Sequence, residues 1–182
     1  MVVFSEAYLP AVLTVPRMTD ELFAQFSEQY DQCRLEYFDG ELHLRPFADP
    51  ETGARGARVL AQVAGWWRSF GSGYVTESRC GYILRDGSRL YPNVAWTPSS
   101  DSDAKFIVDI LSPRDHVAVA HAKMQLWLAK GAELGWMIDP QRRAVTVYRP
   151  GQEPETIEPA ESIRGEGPVE GLVVDLKRVW EI

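Results

Sequence analysis

Asp109 is a carboxylate inside an apolar run, Phe106-Ile107-Val108-Asp109-Ile110-Leu111, within the stretch KFIVDILSP. Such a run suits a strand covered on both faces. A charge there must find a partner, a metal or a proton, because burying it alone is strongly unfavourable. Capping the next helix or pairing with an arginine answers that need without chemistry; a reacting site answers it too. Lys123 is the second anomaly, since Val119, Ala120, Leu126 and Trp127 flank it at helical spacing. A lysine in an apolar stripe either snorkels outward or delivers its ammonium to a buried group. Asn93, directly after Pro92, and Glu36, in a predicted hairpin, are polar groups on elements that can meet these two at one sheet edge. Oxygen ligands beside a lysine suit Mg²⁺-assisted phosphoryl chemistry, because this hard cation takes oxygen ligands and keeps several waters. The metal neutralises phosphate charge and lowers the pKa of a bound water, and a lysine orients the nucleophile or stabilises charge developing on phosphate. Spacing alone leaves the structural and the chemical readings both open. For Glu36 the structural one is simply an acid on the exposed side of a hairpin.

Other chemistries find less support. His43, His116 and His121 are scattered without metal-ligand spacing, and Cys33 and Cys80 form neither a CxxC pair nor a disulfide framework. No P-loop, G-x-G-x-x-G or G-x-S-x-G motif occurs, and the G-x-G at Gly71-Ser72-Gly73 follows a helical pattern instead of opening one.

The elements that must position these residues follow from pattern. Residues 1–16, with Pro10, Pro16 and scattered apolar side chains, read as an extended arm that packs on something, a second subunit being one choice. Thr19 caps a helix expected over 19–29. Arg34–Pro46 alternates about Asp39-Gly40, a strong hairpin signal. A helix follows over 54–70, whose Trp66 and Trp67 read as packing. Tyr74–Ser78 and Gly81–Leu84 read as one interrupted strand, and Asp86-Gly87 turns the chain into Leu90–Trp96, where Pro92 marks an edge, a strand start or a bulge. Ser112-Pro113 is expected to start a helix ending near Lys130 and Gly131. Gly135–Asp139 and Ala144–Arg149 read as strands, residues 150–170 as an exposed acidic connection, and Leu172–Trp180 as a last amphipathic piece. Helices interleaved with strands imply an α/β or α+β single domain over 1–182, built on a mixed sheet flanked by helices, with an N-terminal helix and β-hairpin.

The 182 residues suffice for one full core, and 45% hydrophobic with 25% charged residues is ordinary globular composition. Net charge is −7, and residues 151–182 hold −5 of it, eight acids against three bases. That balance argues against a broad non-specific nucleic-acid surface. Arg55, Arg58, Arg68, Arg79, Arg85 and Arg89 are the candidates for phosphate contacts. No apolar run approaches a membrane span, and the two isolated cysteines without a leader pattern set the expectation of a cytoplasmic protein.

The stretches MTDELF, RLEYFDGEL, LYPNVAW, FIVDILSP, AKMQLWLAKGAELGWMIDP and VEGLVVDL, in that order over residues 17–176, are together familiar. The chain resembles the Uma-type family of restriction-endonuclease-like proteins in the PD-(D/E)XK nuclease superfamily. The resemblance implies a restriction-endonuclease-like core and Mg²⁺- or Mn²⁺-dependent hydrolysis of DNA phosphodiester bonds. It puts Asn93 at the PD aspartate, Asp109 at the (D/E) carboxylate, and Leu111 where the superfamily lysine usually stands. In the family that lysine lies on the following helix, here Lys123, and an acidic position in the hairpin corresponds to Glu36. Asp109, Asn93 and Glu36 are thus the implied metal ligands and Lys123 the group that positions water. Asn93 removes one negative charge from such a site, so impaired cleavage is expected. The alternative is an inactive nuclease-fold protein acting as a nucleic-acid-binding or oligomeric assembly module. By analogy with nucleases that cut two strands with two sites, a homo-oligomer, dimer or higher, is expected.

Overall fold

Asp39 and Gly40 take positive φ values of 53° and 75°, the backbone that a two-residue hairpin turn requires. The computed structural model describes residues 9–70 and 72–182; residues 1–8 of the expected arm, and Gly71, lie outside them. In chain order the first elements are β1 (Ala11–Thr14), α1 (Asp20–Gln29), β2 (Cys33–Phe38), β3 (Glu41–Pro46), α2 (Pro50–Phe70) and β4 (Tyr74–Glu77). Next come β5 (Tyr82–Ile83), β6 (Arg89–Leu90), β7 (Val94–Thr97), β8 (Phe106–Ile110) and α3 (Val117–Ala129). The chain ends with β9 (Leu134–Asp139), β10 (Ala144–Tyr148), β11 (Glu155–Ile157), β12 (Ser162–Arg164), a 3-10 turn, β13 (Val173–Asp175) and α4 (Lys177–Trp180).

These elements form two compact units, residues 1–48 with 81–91 and residues 49–80 with 92–182. The first holds a sheet in the order β1-β3-β2-β6-β5. Thr19 caps α1 as its sequence predicts, its Oγ1 accepting from Leu22 N at 3.2 Å. Among the described residues of the arm, β1 pairs antiparallel with β3, Ala11 opposite Leu44. Leu9, Ala11, Leu13 and Val15 pack on the buried Phe23, Leu35, Tyr37, Leu42 and Leu44, so their apolar character is used inside this unit.

The second unit is a six-stranded mixed sheet, β11-β10-β9-β8-β7-β4, in which β8 and β9 run parallel and the other neighbours antiparallel. Side chains alternate across a strand. Phe106, Val108 and Ile110 therefore share a face, where they join Trp136, Ile138, Val145 and Val147 against Val59 and Val63 of α2. Ile107 and Asp109 point to the opposite face, and α3 packs on that side of β9 and β10.

Several boundaries differ from the pattern reading, each for a local reason. Asp49 starts α2 earlier than expected, its Oδ1 accepting from Thr52 N at 2.9 Å and its Oδ2 from Thr52 Oγ1 at 2.8 Å. In place of a helical start at Ser112-Pro113 there is a turn, closed by Ser112 N donating to Asp115 Oδ2 at 2.8 Å, and α3 begins only at Val117. The interrupted strand is two strands in two sheets: Cys80 N donates to Glu77 O to turn the chain after β4, and β5 joins the other unit. Within 150–170, β11 and β12 form and Ala160, Ile163 and Val169 are buried, so this acidic segment also supplies core.

Candidate active site

β8 is fully buried along its length, and this brings Asp109 into an interior where its charge needs compensation. Lys123 provides it: Nζ lies 2.8 Å from Asp109 Oδ2, and only 4% of the lysine and 10% of the aspartate side chain is exposed. Charge-assisted contacts of this length are strong when water is excluded. The lysine therefore does not snorkel. Its apolar neighbours Met124 and Trp127 are buried with it on α3.

Asn93 precedes β7, whose register sets Val94 opposite Val108 and so Asn93 beside Asp109. Its backbone N donates to Val108 O at 2.9 Å, and its Oδ1 accepts from Ile110 N at 2.8 Å. The amide oxygen thus takes the place of a backbone carbonyl in the ladder. An aspartate would make the same bond with one oxygen and keep the second for a cation; asparagine keeps an NH₂, which is a donor.

Glu36 belongs to the first unit, on β2 opposite His43. It is 1% exposed. Its Oε1 accepts from Tyr91 N at 2.9 Å and its Oε2 from Arg45 at 3.0 Å. Burial with these partners replaces the solvent-facing hairpin position that alternation alone allows. Among the described residues no group of three or more His, Cys, Asp or Glu side chains has metal-holding geometry.

Two polar side chains without a role in the sequence reading lie near the pair. Tyr148, the last residue of β10, is fully buried, and its hydroxyl bonds Nδ1 of His121 on α3. Burial first, and the Asp109 carboxylate second, push the Tyr148 phenol well above its ordinary value. The sequence signal for it is period-two alternation in AVTVY, which puts Tyr148 on the face of Thr146, and the β9–β10 register puts Thr146 beside Met137 and so in line with Asp109.

The arginines are dispersed. Arg55 pairs with Glu51, and Arg58 donates to the carbonyls of Arg178 and Glu181. In the first unit Arg89 pairs with Asp20 and stacks over Phe23, its guanidinium carbon 4.8 Å from the ring centroid. Arg68, Arg79 and Arg85 are exposed, and Arg79 contacts Glu77 at 3.2 Å. Among the described residues no helix is long and apolar enough to cross a membrane.

The fold is a mixed sheet flanked by helices, with a buried carboxylate-lysine pair on a central strand and the helix after it. A crystal structure described as a putative nuclease belonging to DUF820 from Anabaena variabilis superposes with a TM-score of 0.70 at 16% identity, over 84% of this chain and 96% of that one. A cryo-EM structure of a DrdV-DNA complex matches with a TM-score of 0.35 at 12% identity, over 59% of this chain and 12% of that one. No curated protein matches. The family model for Uma2, described as "Putative restriction endonuclease", matches residues 20–177. The chain belongs to the Uma2 family, which supports a nuclease-type function, and restriction-endonuclease-like families are usually metal-dependent.

Proposed function

We propose that this protein is a divalent-metal-dependent endodeoxyribonuclease whose hydrolytic centre is Asp109 with Lys123. The observation that carries the reading is their buried contact at 2.8 Å, on the two positions where the family resemblance puts the carboxylate and the lysine. Buried, strongly interacting ionisable pairs cluster at functional sites, and in a member of this family the pair is best explained by work on a charged substrate.

The donor chemistry fits Mg²⁺ or Mn²⁺ in one specific way. Mg²⁺ is content with one or two carboxylates when waters and substrate phosphate oxygens fill the other positions. Asp109 is the carboxylate that would hold it, and the phosphate of the substrate would complete the set. When bound, the ion supplies charge neutralisation at the phosphate and an acidified water. Lys123, set against Asp109 at 2.8 Å, would orient the attacking water or a phosphate oxygen and stabilise the charge that develops on it. Hydrolysis adds a water oxygen to phosphorus, the water releasing a proton to solvent, and breaks one P–O bond, whose leaving alkoxide takes a proton from solvent. Asn93 enters as a weakened ligand, its oxygen shared with Ile110 N; Glu36 is a ligand only by the family resemblance, and within its own unit its oxygens are bonded to Arg45 and Tyr91.

The test is cleavage of plasmid DNA with Mg²⁺ or Mn²⁺ by wild type, Lys123→Ala and Asn93→Asp. The expected order is Asn93→Asp above wild type, with Lys123→Ala down at least a hundredfold; wild-type activity that persists in Lys123→Ala sinks the assignment. The Asn93 hydrogen bond also favours a second reading, a nuclease-fold module that binds DNA or assembles with itself without cutting. Millimolar Mn²⁺ that binds neither the free protein nor its DNA complex is its expected mark. A homo-oligomer would bring two centres to two strands, and light scattering of the full chain tests for one.

A further inference from the structure

The Tyr148 hydroxyl is buried beneath α3, and a phenol in that position needs a partner. It finds Nδ1 of His121, and Met137 Sδ lies 3.7 Å from the same oxygen. With one proton to give, the phenol donates to the imidazole nitrogen, the better acceptor, which makes His121 the Nε2–H tautomer. A second contact fixes the same stretch of helix. A Cβ at Gly135 would stand 2.5 Å from Met124 Cε and 3.6 Å from Tyr148 Cβ, so the glycine on β9 leaves the slot that Met124 fills. His121 and Met124 thus hold α3 on β9 and β10 on either side of Lys123 in sequence. The N-terminus of α3 has no side-chain cap from His116 that would fix the helix there.

We propose that His121 and Tyr148 are positioning residues of the centre: their hydrogen bond locks the register of α3 on β10, and so sets the Lys123 ammonium against Asp109. The proposal deepens the hydrolytic reading and rests on it for its chemical meaning. Neither residue touches the reacting atoms in this role.

The decisive readout needs no DNA. In ¹⁵N-labelled protein the Lys123 ammonium, shielded and paired, should give a slowly exchanging ¹H–¹⁵N signal, assigned by its absence in Lys123→Met. Tyr148→Phe keeps the ring and removes the donor; the signal should be lost, and the His121 ring nitrogens should shift from one tautomer to a mixture. His121→Leu should also lose the ammonium signal, whereas His121→Gln, whose amide oxygen can accept from the phenol, should retain it. In DNA cleavage Tyr148→Phe should lower kcat at least tenfold with KM within twofold. An unchanged Lys123 signal in both Tyr148→Phe and His121→Leu overturns the proposal. If Tyr148→Phe does not fold, the His121→Leu and His121→Gln pair, at a half-buried helical site, decides alone. Loss of the signal in a protein that never cuts DNA supports the positioning role and removes the hydrolytic reading, so the two fail separately.

Discussion

Lys123→Met keeps the length of the side chain and removes its charge, leaving the Asp109 carboxylate in a site where at most a tenth of either side chain is exposed. The expected loss of stability is about 3–5 kcal/mol, the usual cost of breaking a buried ion pair from one side. The double variant Asp109→Leu/Lys123→Met leaves no orphan charge and should recover most of that loss. Urea unfolding of the single and double variants measures the difference. If the double variant is as unstable as the single, the loss does not come from an orphaned Asp109 charge. A stability gain on deleting the whole pair would show that it is kept at a cost to the fold, as expected of a functional centre.

At the scale of elements, the N-terminus of α2 shows how a capping carboxylate ties stability to pH. The backbone N–H of Thr52 is the main cause that holds the Asp49 carboxyl below its ordinary value of 3.8, against a smaller opposing effect of burial. A carboxyl whose folded value is depressed stabilises the fold above its unfolded value and loses that contribution as pH falls through the folded one. Asp49→Ala should therefore cost about 1 kcal/mol at pH 7, and the difference from wild type should shrink as pH falls below 3.8. Thermal melts of both proteins over that range check the sign; a gap that widens on acidification contradicts it. The same elements show what was readable beforehand. Thr19 and Asp39-Gly40 declare the cap of α1 and the β2–β3 turn because their side chains and φ preferences act locally. Asp49 and Asp115 hide one helix start and mimic another, since only geometry tells whether such a carboxylate caps a helix or closes a turn. Asp109 and Lys123 stand out in the sequence because each is polar among apolar neighbours. The bond from Ile110 N to Asn93, and that between His121 and Tyr148, depend on strand register and on the placement of α3 over β10, which no residue pattern encodes.

For the whole molecule, charge limits how DNA can be held. The net charge is −7, and three of the arginines best suited by sequence to phosphates have partners within the chain: Arg55 on Glu51, Arg58 on two carbonyls, and Arg89 on Asp20. Arg79, with 91% of its side chain exposed, and the exposed Arg68 and Arg85 remain the accessible candidates. Each phosphate neutralised adds about −0.9 to the slope of log Kobs against log salt, so two or three contacts predict a slope of roughly −2 to −3. Between 50 and 200 mM salt that is a loss of about 15- to 60-fold in affinity, far less than a protein with a basic groove suffers. Fluorescence anisotropy with a labelled duplex, without divalent metal to prevent cleavage, gives the slope, and Arg79→Ala or Arg85→Ala should each make it shallower by about 1. A slope near −6 or steeper would require a basic surface that these arginines do not form. If the metal joins Asp109 to the substrate phosphate, affinity should also rise when Mn²⁺ is added, measured in Lys123→Ala, whose cleavage is expected to be at least a hundredfold slower.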